Sequence, residues 1–173
     1  SKVPSSIMPE APSFDEYGRI ICEALNSECG DNGPRLILEP GTALVADTMT
    51  YVTRVATIKQ NNQRRIVTVA GSLLEYAAYS RSKKLPVRVI NLKAPKGDEQ
   101  RSDIVGYTCI EGDELHYSLD QRVEKGDLIC IGNVGSYSIV MKPPFINYAP
   151  PIFGFDGERL AVVRQREDFD GFF

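Results

Sequence analysis

From residue 50 onward the chain is a succession of short β-branched and aromatic stretches, each closed by Gly, Pro, Asn or Asp. That rhythm leaves little room for anything but a sandwich or barrel of strands. Residues 50–58 (TYVTRVATI) and 65–69 (RIVTV) flank Asn61-Asn62, which can turn the chain back on itself. Strands are expected again at 87–92, 104–109, 115–119, 128–131 after a Lys125-Gly126-Asp127 turn, and 138–141. The end reads as a hairpin, 152–155 with 159–164, around Asp156-Gly157. Residues 72–83 could hold a helical turn, and 94–103 reads as a solvated, charged loop.

The first fifty residues are different. After an extended lead-in with three prolines (1–12), Ser13 and Glu16 form an S-x-x-E capping box. Phe14, Tyr17, Ile20, Ile21, Ala24 and Leu25 follow at helical spacing, and Gly30, Gly33 and Pro34 stop the helix. Residues 35–39 (RLILE) then read as a buried strand ending at Pro40-Gly41. Helix, loop and apolar strand make half of a β/α repeat, and a parallel strand needs neighbours on both sides. The expected division is therefore 1–47, a lead-in plus one α/β unit, and 48–173, a β-domain.

Charge and cysteine content narrow the function. A net charge of -3 with scattered Lys and Arg argues against a nucleic-acid partner. No apolar run approaches the ~20 residues of a membrane span, and the N-terminus lacks a secretory layout. Cys22, Cys29, Cys109 and Cys130 form no C-x-x-C pair and His116 is the single histidine, so no metal site is expected. The thiols read as reduced and the compartment as cytoplasmic.

Three stretches carry chemistry: Glu39-Pro40-Gly41-Thr42, Gly106-Tyr107-Thr108-Cys109-Ile110-Glu111-Gly112-Asp113, and Gly135-Ser136-Tyr137-Ser138. Taken singly, each has a plain structural reading. Glu39 can end a strand, Cys109 can be core, Tyr137 can close a strand, His116 can sit on a rim, and Glu75 with Arg81 can be a solvated face near Tyr79.

Together and in order, these stretches resemble the C-terminal part of the fold-type III pyridoxal-phosphate-dependent decarboxylases of ornithine, diaminopimelate and arginine. Glu39–Thr42 is similar to that family's E-P-G-R motif, and residues 106–113 to its G-P-x-C-[DE]-x-x-D corner. Gly126-Asp127-Leu128 and Gly135-Ser136-Tyr137 resemble its G-D and G-A-Y segments, and residues 161–167 (AVVRQRE) its closing strand. The resemblance implies a mainly β fold, an alanine-racemase-like C-terminal barrel or sandwich preceded by a remnant of a β/α barrel.

It also implies roles. Glu39 would face the pyridine nitrogen of pyridoxal 5'-phosphate and keep it protonated. Gly41, Thr42 and Tyr137 would serve the cofactor phosphate. Cys109 would be the general acid that returns a proton to the substrate carbon, in a site shared across a homodimer. Glu111, Asp113 and Tyr79 would contact the amino-acid substrate. The departures are Thr42 for arginine, Ile110 for the acidic residue after the cysteine, Val69 at an acidic D-x-G position, and no arginine before Tyr79. They leave the substrate open, with a less common or carrier-bound amino acid standing beside ornithine, lysine and diaminopimelate.

No lysine here matches the family's Schiff-base lysine, and residues 1–47 fall far short of the roughly 250 of a full barrel. The chain is therefore expected to be a C-terminal piece of a decarboxylase, inactive alone and completed by a barrel segment. The alternative is a non-catalytic relative that acts as an interaction protein.

Overall fold

The computed structural model describes residues 12–30, 33–76, 85–94 and 100–172. It divides into two compact units, Ser1–Gly41 and Thr42–Phe173.

In the first unit, helix α1 spans Phe14–Cys29 and begins as its sequence dictates. Glu16 N–H donates to Ser13 Oγ at 3.2 Å, and Ser13 N–H donates to Glu16 Oε2 at 2.8 Å. Gly30 ends it at φ 60, its N–H returning to the Asn26 carbonyl. None of the helix is buried, and Phe14, Tyr17 and Ile20 lie open. Residues 35–39 form no strand, contrary to the expectation, and Leu36, Ile37 and Leu38 are exposed. The reason is that a strand exists only through pairing, and no described residue pairs with this stretch.

The second unit opens with a single helical turn, α2 (Thr42–Val45), and a 3-10 turn over Ala46–Thr48. Six strands follow in one sheet: β1 (Tyr51–Asn61), β2 (Arg64–Val69), β3 (Val87–Ile90), β4 (Ser102–Val105), β5 (Glu114–Leu119) and β6 (Leu128–Ile131). Their spatial order is β3-β6-β1-β2-β4-β5. Strand β1 is shared: Tyr51–Arg54 pair with β6, and Val55–Asn61 pair with β2. A register shift between Val55 and Thr57 lies within the β2 ladder, just past the handover from β6, and such a bulge bends a strand and sharpens its twist. Strands β2 and β4 run parallel, so the chain leaves the sheet after β2, adds β3 at the far edge and returns. Thr53 and Val55 of β1 point inward, and Val67, Val69, Ile104, Ile129 and Ile131 complete the inner face. Strands β7 (Ile152–Phe155) and β8 (Leu160–Arg164) make a separate two-stranded sheet. Asp156 closes it, Oδ1 accepting from the N–H groups of Glu158 and Arg159, with Gly157 at φ 104. A last helix, α3, covers Phe169–Phe172.

Two sequence expectations change here. Residues 138–141 form a turn rather than a strand: Tyr137 sits at φ 61, and Met141 N–H donates back to its carbonyl. Ser138 Oγ donates to the carbonyls of Tyr76 and Val134, which holds the backbone away from any ladder. Strand β4 stops at Val105, because Gly106 already belongs to the turn that follows.

Buried Asp103 ties β2, β4 and β5. Its Oδ1 accepts from Ser118 N–H at 3.0 Å, and its Oδ2 from Arg64 Nε at 2.8 Å. Burial works against its charge, but the Ser118 N–H and the Arg64 guanidinium prevail and hold the carboxyl below its usual range. A lowered acid contributes stability above its unfolded value, near ~3.9, and loses it as pH falls through the folded value. Urea midpoints followed from about pH 6 down to about pH 2 should therefore drop more steeply for the native chain than for Asp103→Asn.

Candidate functional site

The corner at 106–113 is built from inside. Gly106 N–H donates to the Asp113 carbonyl at 2.7 Å, and Asp113 N–H to that of Ile110 at 3.1 Å, with Gly112 at φ 84. The buried Asp113 carboxylate accepts four hydrogen bonds. Ser72 Oγ (2.9 Å) and Leu73 N–H (2.8 Å) reach Oδ1, while Thr108 N–H (3.1 Å) and Thr108 Oγ (2.6 Å) reach Oδ2. A Cβ on Gly106 would stand 2.1 Å from Asp113 Oδ2, so only glycine fits there. Cys109 is left exposed at the tip, and Glu111 beside it is exposed as well. Asp113, expected on the substrate, is placed beneath the corner with its lone pairs committed. Its geometry is that of a brace. Ile110 is half-buried, and Tyr79 and Arg81 lie outside the described residues.

A second set of contacts holds the same corner and escaped the sequence reading. Tyr107 N–H donates to the Gly71 carbonyl at 3.2 Å, and its hydroxyl to Glu75 Oε1 at 3.0 Å. The Tyr51 hydroxyl donates to Glu75 Oε2 and accepts from Ser72 N–H. Glu75 is therefore half-buried between two phenols, not part of a solvated face. Tyr51 stacks on Tyr76 with ring centres 4.6 Å apart. Burial first, then the Glu75 charge, raises the Tyr51 hydroxyl well above the ordinary phenol range. The same two causes push Tyr107 up to about 12. A polar cleft of ≈ 260 Å³ opens on this network, lined by Tyr51, Arg54, Glu75, Asn147 and Arg166 among others.

The third stretch meets α2. Gly135 N–H donates to the Ala46 carbonyl at 2.9 Å, and Thr42 Oγ lies 2.9 Å from Ser136 Oγ. Thr42, expected at the cofactor phosphate, is thus brought beside the Gly135-Ser136-Tyr137 segment, where Tyr137 is half-exposed. A Cβ at Gly135 would fall 1.9 Å from the Val45 carbonyl oxygen and 2.5 Å from Thr48 Oγ. Gly135→Ala should therefore spread this pair of segments and cost about 1–3 kcal/mol, the usual cost of overpacking, in a denaturant titration. In the other unit, Glu39 is exposed and Gly41 takes φ 47 with open space around it. Among the described residues no group of His, Cys, Asp and Glu could hold a metal, and no helix is long and apolar enough to cross a membrane.

Comparison with known proteins identifies the family and the fold. Residues 20–135 match the family model of the pyridoxal-dependent decarboxylase C-terminal sheet domain. The diaminopimelate decarboxylase of Methanothermobacter thermautotrophicus is 32% identical over 176 residues, covering 96% of this chain and 40% of that protein. That of Vibrio cholerae is 28% identical over 166 residues, covering 93% and 37%. The solved diaminopimelate decarboxylase of M. jannaschi shares the fold with a TM-score of 0.83 at 23% identity, over 98% of this chain and 39% of that one. The chain thus spans about two fifths of the length of these relatives. With the curled six-stranded sheet and the motif order pointing the same way, the chain belongs to the pyridoxal-dependent decarboxylase family, as a C-terminal sheet domain.

Proposed function

We propose that this chain supplies the proton-donating part of an amino-acid decarboxylase of the diaminopimelate type. A cofactor-holding barrel and a second copy of the sheet domain complete the site. The observation that carries the reading is an exposed thiol at the tip of a corner clamped from within. Residues 1–47 belong on this reading to the barrel side and 48–173 to the sheet domain.

Pyridoxal phosphate, when bound, supplies an electron-withdrawing ring that lets a bound amino acid lose CO2. The donors in this chain suit its phosphate end, since paired hydroxyls at Thr42 and Ser136 and the Tyr137 phenol can all donate to phosphate oxygen. Glu39 would keep the pyridine nitrogen protonated, and Gly41 would leave backbone N–H open to the phosphate. Cys109 acts after CO2 has left. Its Sγ–H bond breaks, a C–H bond forms at the substrate carbon, and the thiolate takes a proton back from water, to which its exposure gives access. Glu111, beside the thiol, takes the distal amine of the substrate, with Tyr79 as a second contact. With no lysine in a Schiff-base context, the 173 residues alone do not turn over.

The test joins this chain to the N-terminal part of a diaminopimelate decarboxylase. A pyridoxal absorbance band and CO2 release from diaminopimelate, lysine or ornithine are expected. Cofactor binding without CO2 from any amino acid overturns the reading. It would favour instead a non-catalytic partner protein, for which Thr42 and the half-buried Ile110 are the supporting departures.

A further inference from the structure

The thiol sits on a loop whose two preceding residues are each gripped by a carboxylate, one from the base of the same corner and one from a distant segment. Thr108, next to Cys109, gives its N–H and hydroxyl to Asp113. Tyr107, two positions before the thiol, gives its hydroxyl to Glu75 and its N–H to Gly71. Glu75 is in turn fixed by Tyr51, which stacks on buried Tyr76. The line from the sheet to the tip therefore runs Tyr51, Glu75, Tyr107, Cys109, and every link but the last is a hydrogen bond. Asp113 secures the base of the corner, and Glu75 sets its sideways position.

We propose that Glu75, acting through Tyr107, is a positioning residue for the Cys109 thiol. It holds the tip in one orientation toward the substrate carbon and touches neither substrate nor cofactor itself. The proposal rests on the reading of Cys109 as proton donor. A loop anchored only at its base samples many tip positions, and proton transfer needs the donor within hydrogen-bond reach. Two anchors from separate segments remove that freedom before substrate arrives.

The chain carries its own controls. Cys22 and Cys29 are exposed on α1, in the other unit, and Cys130 is buried in β6. Alkylation by iodoacetamide, read per cysteine by mass spectrometry on the 173-residue chain, separates a loosened tip from general unfolding. Tyr107→Phe removes one hydroxyl and leaves the ring. It should shift the Cys109 rate at least about twofold, because the surroundings of the exposed thiol change once a hydrogen bond of ~0.5–1.5 kcal/mol no longer holds the tip. Cys22, Cys29 and Cys130 should keep their native rates. Glu75→Ala, which also releases Tyr51, should have at least as large an effect, and the double variant should fall short of the sum of the two, because the Glu75–Tyr107 bond is lost in both. In the joined enzyme Tyr107→Phe should lower kcat by a similar factor with KM unchanged. An unchanged Cys109 rate, a rise at Cys130 alongside the Cys109 shift, or additive effects of the two variants each overturn the proposal. The alkylation readouts do not depend on decarboxylation, so they stand apart from the functional reading. If the joined enzyme works and the alkylation rates do not move, Glu75 alone loses its role.

Discussion

Cys109→Ala in the joined, cofactor-loaded enzyme is expected to cut decarboxylation by about 10²–10⁴-fold, the range a positioned general acid contributes. The effect should fall on kcat, because an exposed thiol at a loop tip makes few contacts that bind substrate in the ground state. Stability should stay within about ±0.5 kcal/mol of native, as for other exposed substitutions. Two measurements decide it. One is the rate of amine formation, and the other is deuterium incorporated at the former carboxyl carbon in heavy water. A variant with a residual rate within about threefold of native removes Cys109 from the chemistry. A slow variant that still incorporates one deuteron with native stereochemistry points to another acid.

Asp113→Ala should give the largest loss of stability available from one site residue. Four donors lose their acceptor together: Ser72 Oγ, Leu73 N–H, Thr108 N–H and Thr108 Oγ. A buried donor left unpaired costs about 1–3 kcal/mol, and since neighbours share the loss the total should be about 3–5 kcal/mol. Asp113→Asn should recover part of this, as its carbonyl oxygen can still serve one pair of donors while its amide nitrogen opposes the other. Gly106→Ala attacks the same joint from the opposite side, because the new Cβ occupies the space of the carboxylate. Urea denaturation of the three variants measures the effect. A loss below about 1 kcal/mol for Asp113→Ala would show that water replaces the carboxylate at little cost.

What the sequence makes legible is local. The Ser13–Glu16 box and the turn at Asp156-Gly157 are decided within a few residues and lie where the pattern puts them. The expected reversal at Asn61-Asn62 falls one residue later, at Asn62-Gln63, because Asn61 still pairs with Arg64. What escapes it is settled by partners far along the chain. Residues 35–39 have a strand's composition but no described strand beside them. Residues 138–141 look β-prone, yet the Ser138 hydroxyl is drawn to Tyr76, 62 positions away. The corner's motif identifies Cys109, but the donors that turn Asp113 into a brace come from Ser72 and Leu73, 41 and 40 positions earlier. Glu75 has no motif at all, and only folding brings Tyr51 and Tyr107 to it.

The divided pairing of β1 also sets an order of assembly. Its later half meets β2 across a tight reversal, whereas its first four residues meet β6 only after the chain between Asn61 and Leu128 has been gathered in. Loop closure costs more as the loop lengthens, so the near ladder can form on the microsecond scale of a hairpin while the distant one waits. Pulsed deuterium labelling during refolding should protect the amides of Ile66 and Lys59 before those of Ile129 and Thr53. The reverse order would mean that the remote ladder nucleates the sheet.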